Sequence, residues 1–199
     1  KLEHLNINYT NIDVETEYGN TRIIKAGNPK GKPILLFHGY NAGGPLTLEA
    51  VLPLLNTYEF YAVDTIGQAT KSDETLLPIH DNSFALWADE ILEKLNFSKV
   101  DIIGISYGAF ILQKLITYKP ERVDKCIFVV PSGIVNGNPW KSFTKLTLPL
   151  LKYKVTKSDK DLKQFTDVFA PKGDLFMFRL LKAILTGVKM DTRIPRLLK

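Results

Sequence analysis

The chain has 199 residues, 45% hydrophobic and 24% charged, which suits one globular domain with a sizeable core and excludes disordered and fibrous classes. A single cysteine excludes an internal disulfide framework and a multi-cysteine metal site, and no apolar run reaches the ~20 residues that a bilayer span requires. The net charge of +5 is unevenly spread: Pro139–Lys199 holds 14 Lys and Arg against 5 Asp, a net +9, whereas Lys1–Asn138 holds 12 against 16, a net −4, and this asymmetry predicts two structural parts.

Leu2–Asn8 and Asp13–Tyr18 alternate apolar and polar residues, and Arg22–Lys25 adds a β-branched run. Together they predict an opening antiparallel ribbon. Asn28–Lys32, with Pro29 and Gly31, reads as a turn. Pro33–Phe37 is a continuous apolar run, as expected of a strand buried on both faces. A glycine-rich loop, His38 to Gly44, follows it, and Thr47–Leu55 reads as a short helix. Glu59–Asp64 is the next strand and Thr65–Asp73 a loop. Ser83–Leu95 is a helix, with Ser83 as N-cap and Phe84, Trp87, Ile91 and Leu95 at spacings of three and four. Val100–Ile105 is a buried strand, Tyr107–Tyr118 a helix closed by Pro120, and Lys125–Val130 a further apolar strand in which Cys126 is expected to pack. Such alternation predicts an α/β fold, a mainly parallel sheet with helices on both faces. From Trp140 the pattern changes: Trp140–Lys154, Asp159–Phe169 and Asp174–Lys189 read as helices, with no strong strand among them.

The chemistry is concentrated at Gly104-Ile105-Ser106-Tyr107-Gly108. Seven serines and thirteen glycines give a chance G-x-S-x-G about 0.03 times in a chain of this composition, and the context narrows it further. A buried strand passes directly into a helix at Ser106, as a nucleophile elbow requires. The turn presents the hydroxyl at the helix N-terminus and aims the Tyr107 backbone N–H at a developing oxyanion. The loop after Phe37 supplies the second donor, expected to be the Tyr40 backbone N–H. Asn41 and His38 are candidate pocket residues, His38 being expected chiefly to hold the loop.

With the Asp64–Ser72 stretch, these residues resemble the α/β-hydrolase superfamily. The His38-Gly39 loop, the D-x-x-G-x-G-x-S-like loop and the Ser106 elbow occur in the family's order and spacing. The middle loop departs at Ala69, where glycine is usual, and its serine, Ser72, comes one place later. The resemblance implies a core over 1–138 and a helical cap or lid over 139–199. It implies acyl transfer: Ser106 attacks a carbonyl of a small-molecule ester or related acyl substrate, and the Tyr40 and Tyr107 N–H groups hold the oxyanion.

The family's triad continues with an acid and then a histidine, and no histidine follows Ser106; His4, His38 and His80 all precede it. Pro131-Ser132-Gly133, after the last strand, holds no carboxylate. A serine without a base is a weak nucleophile, so the chain is expected to be a truncated portion of a longer hydrolase, inactive by itself. The start at Lys1 is expected to be processed or trimmed. The leading function is a carboxylesterase-like serine hydrolase. The alternatives are a carbon–carbon bond hydrolase on the same core and a non-catalytic binding protein on a hydrolase scaffold. Trp140, Phe143, Leu146, Leu150 and Leu151 interleave with lysines in the manner of an interfacial segment, and the favoured reading is a cap helix burying that face rather than a membrane contact. Gly43-Gly44 lacks the P-loop lysine, and no metal-ligand or nucleic-acid motif is present, so no cofactor and no nucleic-acid partner is expected. The single cysteine fits a reducing compartment, the cytoplasm, and oligomeric state is left open.

Overall fold

The computed structural model describes residues 2–132, 138–168 and 174–188. They fall into two compact units, one holding the described residues up to Ser132 and the other those from Asn138 to Val188.

In the first unit, β1 (Tyr9–Thr16), β2 (Gly19–Gly27), β3 (Pro33–Phe37), β4 (Glu59–Val63), β5 (Val100–Ile105) and β6 (Val123–Val129) form one six-stranded sheet in the order β1-β2-β4-β3-β5-β6. β1 and β2 pair antiparallel, as do β2 and β4, and the pairs β3–β4, β3–β5 and β5–β6 are parallel. Three helices accompany them: α1 (Gly44–Ala50), α2 (Ser83–Lys94) and α3 (Tyr107–Tyr118).

Side chains of successive strand residues alternate between faces, and that alternation sorts the core into two layers. Leu35, Phe37, Tyr61, Val63 and Ile102 pack with Trp87, Ile91, Phe110 and Leu112 of α2 and α3. Ile34, Leu36, Phe60, Ala62 and Ile103 pack with Leu48 and Val51 at α1. A strand buried on both faces has few polar positions to spare, which is why β3, and β4 after its first residue Glu59, read as continuous apolar runs. The fully buried Trp87 also donates its indole N–H to Thr21 Oγ1 at 2.9 Å, tying α2 to β2.

Several expectations are corrected. Leu2–Asn8 is not a strand: Glu3–Leu5 forms a 3-10 turn ended by Asn6 at φ 51°. Its N–H groups are satisfied locally, Leu5 and Ile7 both bonding the Leu2 carbonyl, so the segment needs no sheet partner. The ribbon instead pairs Tyr9–Thr16 with Gly19–Gly27, and Glu17-Tyr18 forms its two-residue turn. Gly19, at φ +121°, accepts a hydrogen bond from Thr16 Oγ1 at 2.7 Å, a backbone conformation that excludes an ordinary side chain. Ser83 does not cap α2. The Asp81 carboxylate accepts from its N–H at 2.9 Å, and this bond holds the Asp81 carboxyl below its ordinary pKa. Finally, among the described residues β6 is an edge strand: Cys126 is exposed, and Ile127 is 55% exposed. A sheet edge paired on one side cannot bury its residues without a further layer.

The second unit is helical. α4 (Pro139–Ser142) runs through a π-helical turn (Phe143–Thr147) into α5 (Leu148–Thr156), followed by α6 (Asp159–Thr166) and α7 (Leu175–Gly187). Ser158 and Asp174 accept from the N–H groups of Lys160 and Phe176 and cap α6 and α7. Tyr153, Leu162 and Phe165 form its core, with Leu146, Leu150, Phe178, Leu181 and Leu185 against them. The expected single apolar stripe is therefore two: Leu146 and Leu150 turn inward, whereas Trp140, Phe143 and Leu151 are exposed. Phe169 and Lys189, expected helix ends, lie outside the described residues.

Candidate active site

Ser106 stands between β5 and α3 at φ 51°, ψ −107°, a conformation that costs a non-glycine residue about 1–3 kcal/mol. Two close approaches hold it there. A Cβ on Gly104 would lie 2.7 Å from Ala109 Cα and from the Gly108 carbonyl oxygen, so only glycine lets β5 turn so tightly into α3. A Cβ on Gly108 would overlap the Phe37 carbonyl at the end of β3. The two glycines are thus contact points of α3 with the central strands, and Ser106 is the residue wedged between them.

The Ser106 backbone is tied on both sides. Its N–H donates to the Val129 carbonyl at 2.9 Å, and its carbonyl accepts from the N–H groups of Ala109 at 3.1 Å and Ser132 at 3.2 Å. Its hydroxyl lies 3.3 Å from Ser132 Oγ. Ser132, immediately after β6 and Pro131, is a site neighbour that the sequence reading passed over. The signal was available only as its place two residues beyond an apolar strand.

The loop after β3 lies beside the serine, since a Cβ on Gly39 would touch Ser106 Cβ at 3.5 Å. The rings of Tyr40 and Tyr107 are 5.7 Å apart, centroid to centroid, and Tyr107 continues into Phe84 and Phe110. The structure therefore brings Tyr40, Tyr107 and Ser106 together.

His38 and Asn41 serve the loop. His38 is fully buried; its Nε2 accepts from the Thr65 N–H at 2.9 Å and its Nδ1 faces the Gly39 carbonyl at 2.6 Å. Accepting at Nε2 places the proton on Nδ1, where it is donated to Gly39. Burial pushes the imidazole below its ordinary pKa, partly opposed by the Gly39 hydrogen bond and by Asp64. With both ring nitrogens engaged beneath the loop, the His38 ring does not line a pocket, which corrects that expectation. The Asn41 N–H donates to Gln68 Oε1 at 2.6 Å and its Oδ1 accepts from the Ala69 N–H at 2.9 Å, so Asn41, at φ 53°, clamps the two loops. The Asp64 loop is structural in the same sense. Asp64 accepts from the N–H groups of Gly44 at 2.7 Å and Lys71 at 3.2 Å, and Ser72 donates to the Asp64 carbonyl at 2.6 Å. Ala69 does not adopt a positive φ, so its backbone conformation does not call for glycine there.

Of the histidines, His80 is exposed, and the side chain of His4 lies outside the described residues. Three acids of the helical unit have other partners: Asp161 pairs with Lys152 and Thr156, Asp159 with Lys182, and Asp174 caps α7. The Lys152 bond, with that of Thr156, holds the Asp161 carboxyl below its ordinary pKa. Among the described residues, no group of three or more His, Cys, Asp and Glu could hold a metal, and no helix is long and apolar enough to cross a membrane.

A family model described as alpha/beta hydrolase fold matches residues 32–169. Over 119 residues, the chain is 26% identical to a Bacillus subtilis (strain 168) protein named uncharacterized carboxylesterase nap and 25% identical to carboxylesterase YbfK of the same organism. Each match covers 60% of this chain and 40% of the relative, so the chain spans about 40% of the length of these curated relatives. The crystal structure of carboxylesterase CesB (YbfK) from B. subtilis superposes with a TM-score of 0.78 at 18% identity, over 100% of this chain and 70% of that one. That of naproxen esterase from the same organism superposes at 0.77 and 20% identity, over 98% and 66%. With the family model covering more than half of the chain, from β3 through the Ser106 elbow and beyond, the protein belongs to the α/β-hydrolase fold family.

Proposed function

We propose that the protein is a serine hydrolase that cleaves small-molecule carboxylic esters through an acyl-enzyme on Ser106. The observation that carries this reading is the Ser106 backbone, held at positive φ between a strand and a helix by two glycine contacts. Strain of this kind is maintained where it presents a reacting group. The Ser106 Oγ attacks the ester carbonyl, a base removes its proton, and the backbone N–H groups of Tyr107 and Tyr40 stabilise the oxyanion. The alcohol leaves with the proton held by the base, and water then releases the acid by the same route. No histidine follows Ser106 in this sequence, so the base is not one of its residues at the family's usual place after the elbow. Residues 139–199 serve as the helical cap, and 1–138 as the core. The carboxylesterase names of two relatives support the substrate class. The single, exposed cysteine supports a reducing, cytoplasmic location.

The test is intact-mass analysis of the full-length protein after incubation with a fluorophosphonate, alongside hydrolysis of p-nitrophenyl butyrate. One adduct, absent from Ser106→Ala, is expected together with ester turnover. A full-length protein that takes up no adduct, or a Ser106→Ala variant that still does, overturns the reading.

A further inference from the structure

The turn that follows β6 is strained, and three of its hydrogen bonds lead to Ser106. Val130 has φ 42°, a left-handed conformation in which a β-branched side chain crowds its own backbone. The residue is 75% exposed, so packing does not compensate for the strain. What the turn delivers instead is Val129 O to the Ser106 N–H, the Ser132 N–H to Ser106 O, and Ser132 Oγ to within 3.3 Å of Ser106 Oγ. Pro131, with its fixed φ, stiffens the approach.

We propose that Ser132 is a positioning residue for the nucleophile, its hydroxyl holding Ser106 Oγ in one rotamer and donating a hydrogen bond to that oxygen once it is acylated. The proposal rests on the serine-hydrolase reading above. In the resting protein either hydroxyl of the pair can donate. During attack, the Ser106 Oγ–carbonyl carbon bond forms and the Ser106 proton passes to the base, which hands it to the departing alcohol oxygen as the ester carbon–oxygen bond breaks. The acylated oxygen has no proton left, so the pair survives only with Ser132 as donor. In deacylation water adds to the acyl carbon, the carbon–Oγ bond breaks, and its electron pair returns to Oγ. The proton that restores the Ser106 hydroxyl comes from the base, which took it from the attacking water. Ser132 keeps its own proton throughout and stabilises the charge that develops on Oγ as it leaves. Ser132 therefore assists deacylation more than substrate binding.

The experiment compares Ser132→Ala, Ser132→Val and Ser132→Thr in the full-length protein, with p-nitrophenyl butyrate as substrate. Threonine and valine have nearly the same shape and differ in the hydroxyl, which separates hydrogen bonding from packing. Ser132→Ala and Ser132→Val are expected to lower kcat about fivefold to tenfold, with KM falling alongside so that kcat/KM stays within about twofold, and to show a burst of nitrophenol before a slow steady state. Ser132→Thr is expected to recover most of kcat. Should alanine fail to fold, the Thr/Val pair decides alone. A kcat within twofold of the parent for Ser132→Val, or equal impairment of Thr and Val, overturns the proposal. A parent that fails to label with fluorophosphonate overturns the serine-hydrolase reading and this proposal with it, whereas a labelled parent with indifferent variants overturns this proposal alone.

Discussion

Gly108→Ala puts the elbow's packing under direct test. In a helix the change should favour alanine by about 0.5–1 kcal/mol, because glycine loses more backbone freedom on folding. The structure opposes that gain. The new Cβ would lie 2.7 Å from Phe37 Cβ and closer still to the Phe37 carbonyl. Carbon atoms prefer about 3.5–4.0 Å, so α3 must retreat from β3 by close to 1 Å. Neither side yields easily. Phe37 is fully buried in a strand paired on both edges, and α3 is already pressed against Gly104 at the other end of the motif. Overpacking of this kind costs about 1–3 kcal/mol and more where backbone is the obstacle, so a net loss of about 2 kcal/mol is expected. Gly187→Ala in α7 is the control, since nothing lies within 4 Å of the added Cβ and the helix-propensity gain stands alone. The assay is urea unfolding, followed for Gly108→Ala by tryptophan fluorescence in a Trp140→Phe background, which leaves the buried Trp87 of the first unit as reporter, and for Gly187→Ala by the far-ultraviolet circular dichroism of the helical second unit. A Gly108→Ala protein as stable as its parent would refute the claim that this glycine is required by close contact.

Two further outcomes are expected. Ser106→Gly should abolish fluorophosphonate labelling yet stabilise the first unit by about 1 kcal/mol in the same urea assay, because relief of about 1–3 kcal/mol of backbone strain exceeds the entropy that glycine costs; a destabilised variant would show that φ 51° is not a strained state here. Because burial lowers the His38 pKa below 6.5, the unfolded chain binds its proton at a higher pH than the folded one, so stability at that residue is intact above about pH 6.5 and falls as pH drops through the window below it, by up to about 1.4 kcal/mol per pH unit. Unfolding curves at pH 7.5, 6 and 5 should therefore be steeper in pH for the parent than for His38→Asn, and parallel profiles would refute a neutral buried imidazole.

The wedge of Ser106 between two glycines was open to sequence reasoning because it is local. G-x-S-x-G, an apolar strand before it and a helical period after it occupy one short stretch, and the spacing alone implies a tight turn. Strand and helix identity in the central sheet was legible for the same reason, since runs buried on both faces leave a continuous apolar record. Relations between distant segments left no such record. The place of Ser132 against Ser106, 26 positions away, depends on the β5–β6 pairing and on a strained Val130, neither of which a pattern of residue types encodes. His38 had no visible partner until Thr65, 27 positions on, was brought beneath it, and Asn41 likewise needed Gln68 and Ala69. Cys126 shows the converse. Its apolar neighbours predict burial, but burial depends on what lies beside and above a strand, and β6 is the edge. Residue type and period thus determined which segments are strands and helices and which serine is presented. The hydrogen-bond partners, the exposed edge and the division of the α4–α5 residues into inward and outward stripes were decided by tertiary contacts, because each depends on a neighbour remote in the chain.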